Sequence, residues 1–238
     1  MTDPAIRAAG LLYERTLDPD ERIPWEWIER GITTGSARTV GWRRHLILAA
    51  PGGRAARPDQ LAGYAYGSFI PGYGGYLCYL GVDEASRGGG VGRQLFEAFF
   101  EGVTADAAAA GEPLPFVVWE SYRPEPDELP AVHANWAARV RLFDKVGGLW
   151  VKGVDFLTPS FAAEAADPVP LQLFVKPMGR PASAFTAEKL LGVVEGLYER
   201  VYRIDPGDSL FDRTLTPDCR PKLVPAREAG ATPEAVAA

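Results

Sequence analysis

Residues 76–103 read YLCYLGVDEASRGGGVGRQLFEAFFEGV, and the fold turns on this stretch. Residues 76–82 are apolar and aromatic, the composition of a strand. From Gly90 onward Val91, Leu95, Phe99 and Val103 recur at helical spacing, and Phe96 and Phe100 widen the stripe. Between strand and helix stands Arg87-Gly88-Gly89-Gly90-Val91-Gly92. A helix start leaves several backbone N–H groups without an intrahelical acceptor and carries the positive end of the helix dipole. Glycines there let an anion approach the main chain and tolerate positive φ, so a strand, turn and helix in this order make a binding place for phosphate.

Upstream, residues 5–16 read as a short helix and 18–31 as a second, with Pro24 near its first turn, Gly31 at its stop, and Trp25 and Ile28 facing the core. Residues 45–50 and 61–70 read as strands, divided by a Gly/Pro/Arg loop at 51–59, and 71–75 is a turn by composition. Such close spacing predicts antiparallel neighbours. Downstream, 116–120 is apolar until its last residue, as expected of a buried strand parallel to the preceding one through a right-handed crossover. A loop rich in proline and acid at 124–130 leads to a helix over 133–146, stopped by Gly147-Gly148. Residues 149–157 and 170–176 read as the last strands, separated by a Pro/Ala/Asp loop. An amphipathic helix over 186–204 places Leu190, Val194, Leu197 and Val201 on one face, and from Pro221 the composition predicts a disordered tail.

The 238 residues, 47% of them hydrophobic, suffice for a substantial core. Twenty-five basic against thirty-one acidic side chains give a net charge of -6, so neither nucleic acid nor an anionic membrane is an expected partner. The sequence begins without a basic and apolar leader and contains no apolar run near the ~20 residues that span a bilayer, which makes the cytoplasm the expected location. Cys78 and Cys219 are expected as free thiols, and with His45 and His133 the only histidines, no metal centre is expected. A Gly-x-Ser-x-Gly elbow is missing, and the tryptophans are scattered as packing residues are.

Three nucleotide-binding patterns compete for the glycine turn. A P-loop needs Gly-Lys-Ser/Thr where this chain has Gly92-Arg93-Gln94, and the dinucleotide fingerprint needs a third glycine where Arg93 stands. Arg87, Gly90 and Gly92 instead match Arg/Gln-x-x-Gly-x-Gly/Ala, and the element order over residues 40–178 resembles that of the GNAT superfamily of acetyltransferases. The resemblance implies an α/β fold, more closely α+β: a mixed, mostly antiparallel central sheet flanked by helices, with an extra C-terminal helix. It places an acetyltransferase domain over 1–180, the amphipathic helix over 181–206 and an extended, disordered tail over 207–238, and it leaves a homodimer open.

By the same resemblance, the chain uses acetyl-coenzyme A to acetylate the primary amine of a small molecule or peptide by direct attack. The amides of Gly88, Gly89, Gly90, Val91 and Gly92, flanked by Arg87 and Arg93, would cradle the pyrophosphate. Val82 would pair with the pantetheine arm and polarise the thioester carbonyl, and Gly81 would sit at a bulge that splays this strand from the next. Attack needs a base for the amine proton: Glu120 is the first choice and His133 the substitute. The family's tyrosine acid falls on Phe143, which cannot donate a proton. That leaves solvent, Tyr122 or a loss of transferase activity, the last making the chain an acyl-coenzyme A sensor or interaction module.

Overall fold

The structure, a computed structural model, describes residues 3–17, 19–34, 41–50, 60–160 and 167–230. The expected loop at 51–59, residues 161–166 of the Pro/Ala/Asp loop and residues 231–238 of the expected tail lie outside the described residues. The chain forms two compact units: the described residues up to Leu114 make one, and Pro115–Ser160 with those from Asp167 onward make the other.

The first unit opens with α1 (Pro4–Thr16), where Pro4 occupies the first turn and the Asp3 carboxylate caps it by accepting the Ala5 N–H at 2.8 Å. Helix α2 (Trp25–Thr33) is shorter at its start than the sequence suggested. Pro24 is its N-cap and residues Pro19–Glu21 form a separate 3₁₀ turn. Nor does Gly31 stop it. A Cβ there would be a tight fit, 3.2 Å from the Arg44 side chain and 3.4 Å from the Tyr66 hydroxyl.

Strands β1 (Arg43–Ala49), β2 (Gly63–Ile70) and β3 (Gly74–Val82) form an antiparallel meander, as expected. Helix α3 (Val91–Ala110) follows the glycine turn and lies close against β2. A Cβ on Gly67 would come within 2.6 Å of the Phe99 ring, and one on Gly63 within 2.9 Å of Leu95, so two glycines four apart let helix and strand approach. His45 on β1 is tied to Asp106 of α3, Nε2 to Oδ2 at 2.6 Å. Beneath α1 and α2, Ala8, Leu12, Tyr13, Ile28 and Tyr64 form a buried cluster. The Tyr13 hydroxyl donates to the Ile23 carbonyl at 2.9 Å and the Tyr79 hydroxyl accepts the Ile23 N–H at 3.1 Å, which clamps the connection between the two helices.

In the second unit β4 (Phe116–Ser121) runs antiparallel to β7 (Val169–Pro177). The single strand expected over 149–157 is two, β5 (Leu149–Lys152) and β6 (Phe156–Thr158), both lying along β7 and parted by the turn at Gly153. Helix α4 (Pro130–Lys145) starts three residues before its predicted first residue because Pro130 supplies the fixed φ of a first turn. Its inner face meets β7 through rings: Phe143 lies 4.7 Å and Trp136 6.2 Å from Phe174, and Trp119 stacks on the same Phe174 at 6.1 Å.

The C-terminal part departs most from expectation. Helix α5 (Ala187–Gly196), capped by Thr186, buries Leu190 and Val194 as predicted. It then widens into a π-helical turn, Leu197–Tyr202, instead of continuing to residue 204. The region expected to be an extended, disordered tail carries α6 (Ser209–Thr214), capped by Asp208, and β8 (Lys222–Pro225), which pairs with β5. Composition gave no sign of this order because β8 is only four residues long and finds its hydrogen bonds on a distant strand. Among the described residues, no helix is long and apolar enough to cross a membrane.

Candidate active site

The glycine turn is built from both of its ends. At its start, Asp83 donates its N–H to the Ala62 carbonyl at 2.9 Å and pairs with Arg15 of α1 at 2.8 Å. The Arg87 Nε donates to the Val82 carbonyl at 3.4 Å, folding the arginine back on the end of β3. At its finish, Gly90 is the N-cap of α3 and its carbonyl accepts the Gln94 N–H at 3.1 Å, the first bond of the helix. By helical geometry the amides from Gly90 to Arg93 precede that bond and have no acceptor four residues back.

Gly88 and Gly90 have φ of +80° and +85°, a left-handed backbone that L side chains rarely adopt, and nothing lies within 4 Å of a Cβ built on either. The glycines are therefore required by backbone conformation and not by packing, and the space before the helix is open. The turn is exposed. Arg93 pairs with Glu97 at 3.0 Å, but both side chains are more than half exposed, so the pair holds the arginine weakly. These features fit a bound pyrophosphate, whose oxygens would meet successive N–H groups and the positive helix end.

On its β2 side the register of β3 shifts at Tyr66/Gly67 and leaves Cys78 as the extra residue, while the pairing of Gly81 with Tyr64 and Val82 with Gly63 is regular. The small residue at 81 is required by packing, since a Cβ there would run into the Tyr64 ring and the Thr16 hydroxyl.

Of the three candidate proton-handling residues, all in the second unit, each has a different setting. Glu120 lies one residue from the end of β4, half-buried, opposite Leu173 of β7. Its Oε1 accepts a hydrogen bond from the Tyr202 hydroxyl. Tyr122 donates its hydroxyl to Glu128 Oε1, which also accepts the Glu125 N–H at 3.0 Å. That bond, followed by desolvation, pushes the Tyr122 phenol up to about 12 and holds the Glu128 carboxyl below its ordinary range. A phenol at that value is a poor acid for a thiolate whose conjugate thiol titrates near ~8.5. His133 sits in the first turns of α4, half-buried, with its N–H directed to the Leu129 carbonyl at 3.4 Å.

Phe143 is 5% exposed within the ring cluster of α4, β4 and β7, so its lack of a hydroxyl suits its surroundings. Sequence reasoning missed Tyr202 altogether. It read the last helix as α-helical and assigned Val201 to its inner face, whereas the extra residue in a π turn rotates every later position. Among the described residues, no group of three or more His, Cys, Asp or Glu side chains is placed to hold a metal ion.

The acetyltransferase (GNAT) family model matches residues 14–106, from the end of α1 through most of α3 and including the whole glycine turn. Over that segment the chain is similar to the GNAT acetyltransferases. A structure assigned to GNAT acetyltransferases, from Bacteroides thetaiotaomicron, superposes with a TM-score of 0.53 at 16% identity, covering 84% of this chain and 92% of that one. One from Desulfovibrio desulfuricans, assigned to the same family, gives 0.46 at 16% identity, with coverages of 74% and 95%. An aminoglycoside 6'-N-acetyltransferase complexed with coenzyme A gives 0.47 at 17% identity, with coverages of 74% and 92%. A comparison with curated proteins found no match. The family match stops before Glu120, so the similarity to that family rests on the glycine turn and the elements on either side of it.

Proposed function

We propose that this protein is a GNAT-type N-acyltransferase that moves an acetyl group from acetyl-coenzyme A to a primary amine. The observation that carries this reading is the exposed turn at Gly88 and Gly90, left-handed at both glycines and opening directly onto the amides that begin α3. The amides from Gly88 to Gly92 bind the pyrophosphate, with Arg87 and Arg93 adding positive charge at its flanks. Acetyl-coenzyme A would supply the activated thioester. The Val82 N–H polarises the carbonyl under attack, and the Glu120 carboxylate takes the proton released from the amine nitrogen. With the Tyr122 proton held by Glu128, solvent is the better donor to the departing sulfur.

Phe143 supports a second reading, a non-catalytic acyl-coenzyme A sensor, because a ring packed against Phe174 offers no acid. Calorimetry with coenzyme A and a thiol-release assay with acetyl-coenzyme A and a panel of primary amines separate these. Binding with turnover supports the transferase, and binding without turnover on any amine supports the sensor. No heat at millimolar coenzyme A removes both.

A further inference from the structure

We infer that Tyr202 is a positioning residue for Glu120: its hydroxyl holds the carboxylate ionised and in one orientation, so the C-terminal turn beyond the matched family region sets the base. The inference rests on the reading of Glu120 as base.

Tyr202 donates its hydroxyl to Glu120 Oε1. The donor is itself held from several sides. Its ring lies 6.4 Å from both Phe156 and Tyr198. Tyr198 in turn stacks on Phe156 at 5.4 Å, and its hydroxyl is bonded to the Leu157 carbonyl at 2.7 Å and to Thr214 at 2.6 Å. The backbone is specialised at the same point. Leu197–Tyr202 is a π-helical turn, Arg203 is the one non-glycine residue with positive φ among the described residues (+60°), and the Ile204 N–H returns to the Tyr198 carbonyl at 3.0 Å. Such a backbone is costly, of order 1–3 kcal/mol for a non-glycine residue in this region. An ordinary α-helix would carry position 202 to a different bearing.

The carboxylate stands beside an apolar stretch. Phe116 to Trp119 of β4 are buried and apolar, and β7 places Leu173 opposite Glu120. A hydrogen bond to the charged form favours that form and selects one rotamer. Glu199 and Arg200 of the same turn and Arg203 at its end are exposed, and Tyr122, just past the end of β4, donates its hydroxyl to Glu128.

The test reads Glu120 directly. In protein labelled with ¹³C-glutamate, the Glu120 carboxyl resonance is identified by its loss in Glu120→Gln and titrated in the wild type and in Tyr202→Phe, which keeps the ring and removes only the hydroxyl. The expected result is a midpoint raised by on the order of one pH unit in Tyr202→Phe; identical midpoints overturn the inference. In the thiol-release assay Tyr202→Phe should lower kcat by about tenfold, with KM for acetyl-coenzyme A within about twofold. Tyr202→His, which retains a donor, should recover part of that loss; equal loss in both variants points to a bracing role only and overturns the proposal. If Glu120→Gln retains wild-type turnover, the base reading falls and takes this inference with it. If Glu120→Gln is inactive and Tyr202→Phe is not, this inference alone falls.

Discussion

The rings of Phe143 and Phe174 lie 4.7 Å apart, centroid to centroid, at the centre of a cluster that includes Trp119 and Trp136. The position at which the sequence resemblance would place an acid is therefore occupied by a core residue. Phe143→Tyr should add a hydroxyl among rings and destabilise the protein by about 1–3 kcal/mol, the cost of a buried polar group without a good partner. Denaturant unfolding measures it. Turnover should not rise; a faster Phe143→Tyr enzyme would mean that residue 143 reaches the departing sulfur.

Gly90 is the position at which the turn and the helix depend on the same atom group. Its left-handed backbone and the 3.1 Å bond from Gln94 to its carbonyl start α3, while open space surrounds its Cα. Gly90→Ala should cost about 1 kcal/mol in stability from the strained φ alone. Gly90→Glu adds bulk and negative charge where the diphosphate would lie, and coenzyme A binding by calorimetry should disappear while circular dichroism stays native. Unchanged affinity in Gly90→Glu would take the turn out of the site.

Much of the first unit was legible because its signals are local. The meander β1–β2–β3, the glycine turn and the apolar stripe of α3 each follow from a few consecutive residues, and the antiparallel order follows from short connections. Gly31 misled because a glycine in a helix resembles a stop, although here it makes room for Arg44. The second unit was harder to read. Tyr202 meets Glu120 across 82 residues of chain, and only a π turn brings it there; β8 pairs with β5 although some seventy residues separate them. Neither relationship leaves a periodic trace. Glu120 was singled out because a charged residue at the end of an apolar strand stands out, but its bond to Tyr202 was not foreseen.

Tyr122 and Tyr202 offer a direct contrast, since each gives its hydroxyl to a glutamate of the second unit. The Tyr122–Glu128 pair closes the loop over residues 122–128, with the Glu125 N–H on the same oxygen. Tyr122→Phe should therefore leave kcat within about twofold of wild type while raising proteolysis or hydrogen exchange in that loop. A tenfold loss of kcat in Tyr122→Phe would show that this hydroxyl, and not solvent, serves the leaving group.

Alkaline pH should weaken the first unit through its buried phenols. Burial pushes Tyr66 up to about 12 and carries Tyr13, Tyr64 and Tyr79 higher still, with desolvation the largest cause in each. In the unfolded chain these groups titrate near ~10. Between about pH 10 and pH 12 the folded state therefore binds more protons than the unfolded one, and unfolding free energy must fall as pH rises. Urea unfolding at a series of pH values checks the slope, and absorbance near ~295 nm reports the phenolate. These tyrosines should ionise together with unfolding and not before it. Tyr79→Phe removes one of the four, keeps the ring against Tyr13 and gives up the bond from Ile23 and the one shared with the Tyr13 hydroxyl, so its stability should decline less steeply over that range. An unchanged slope would mean that Tyr79 is hydrated in the folded protein.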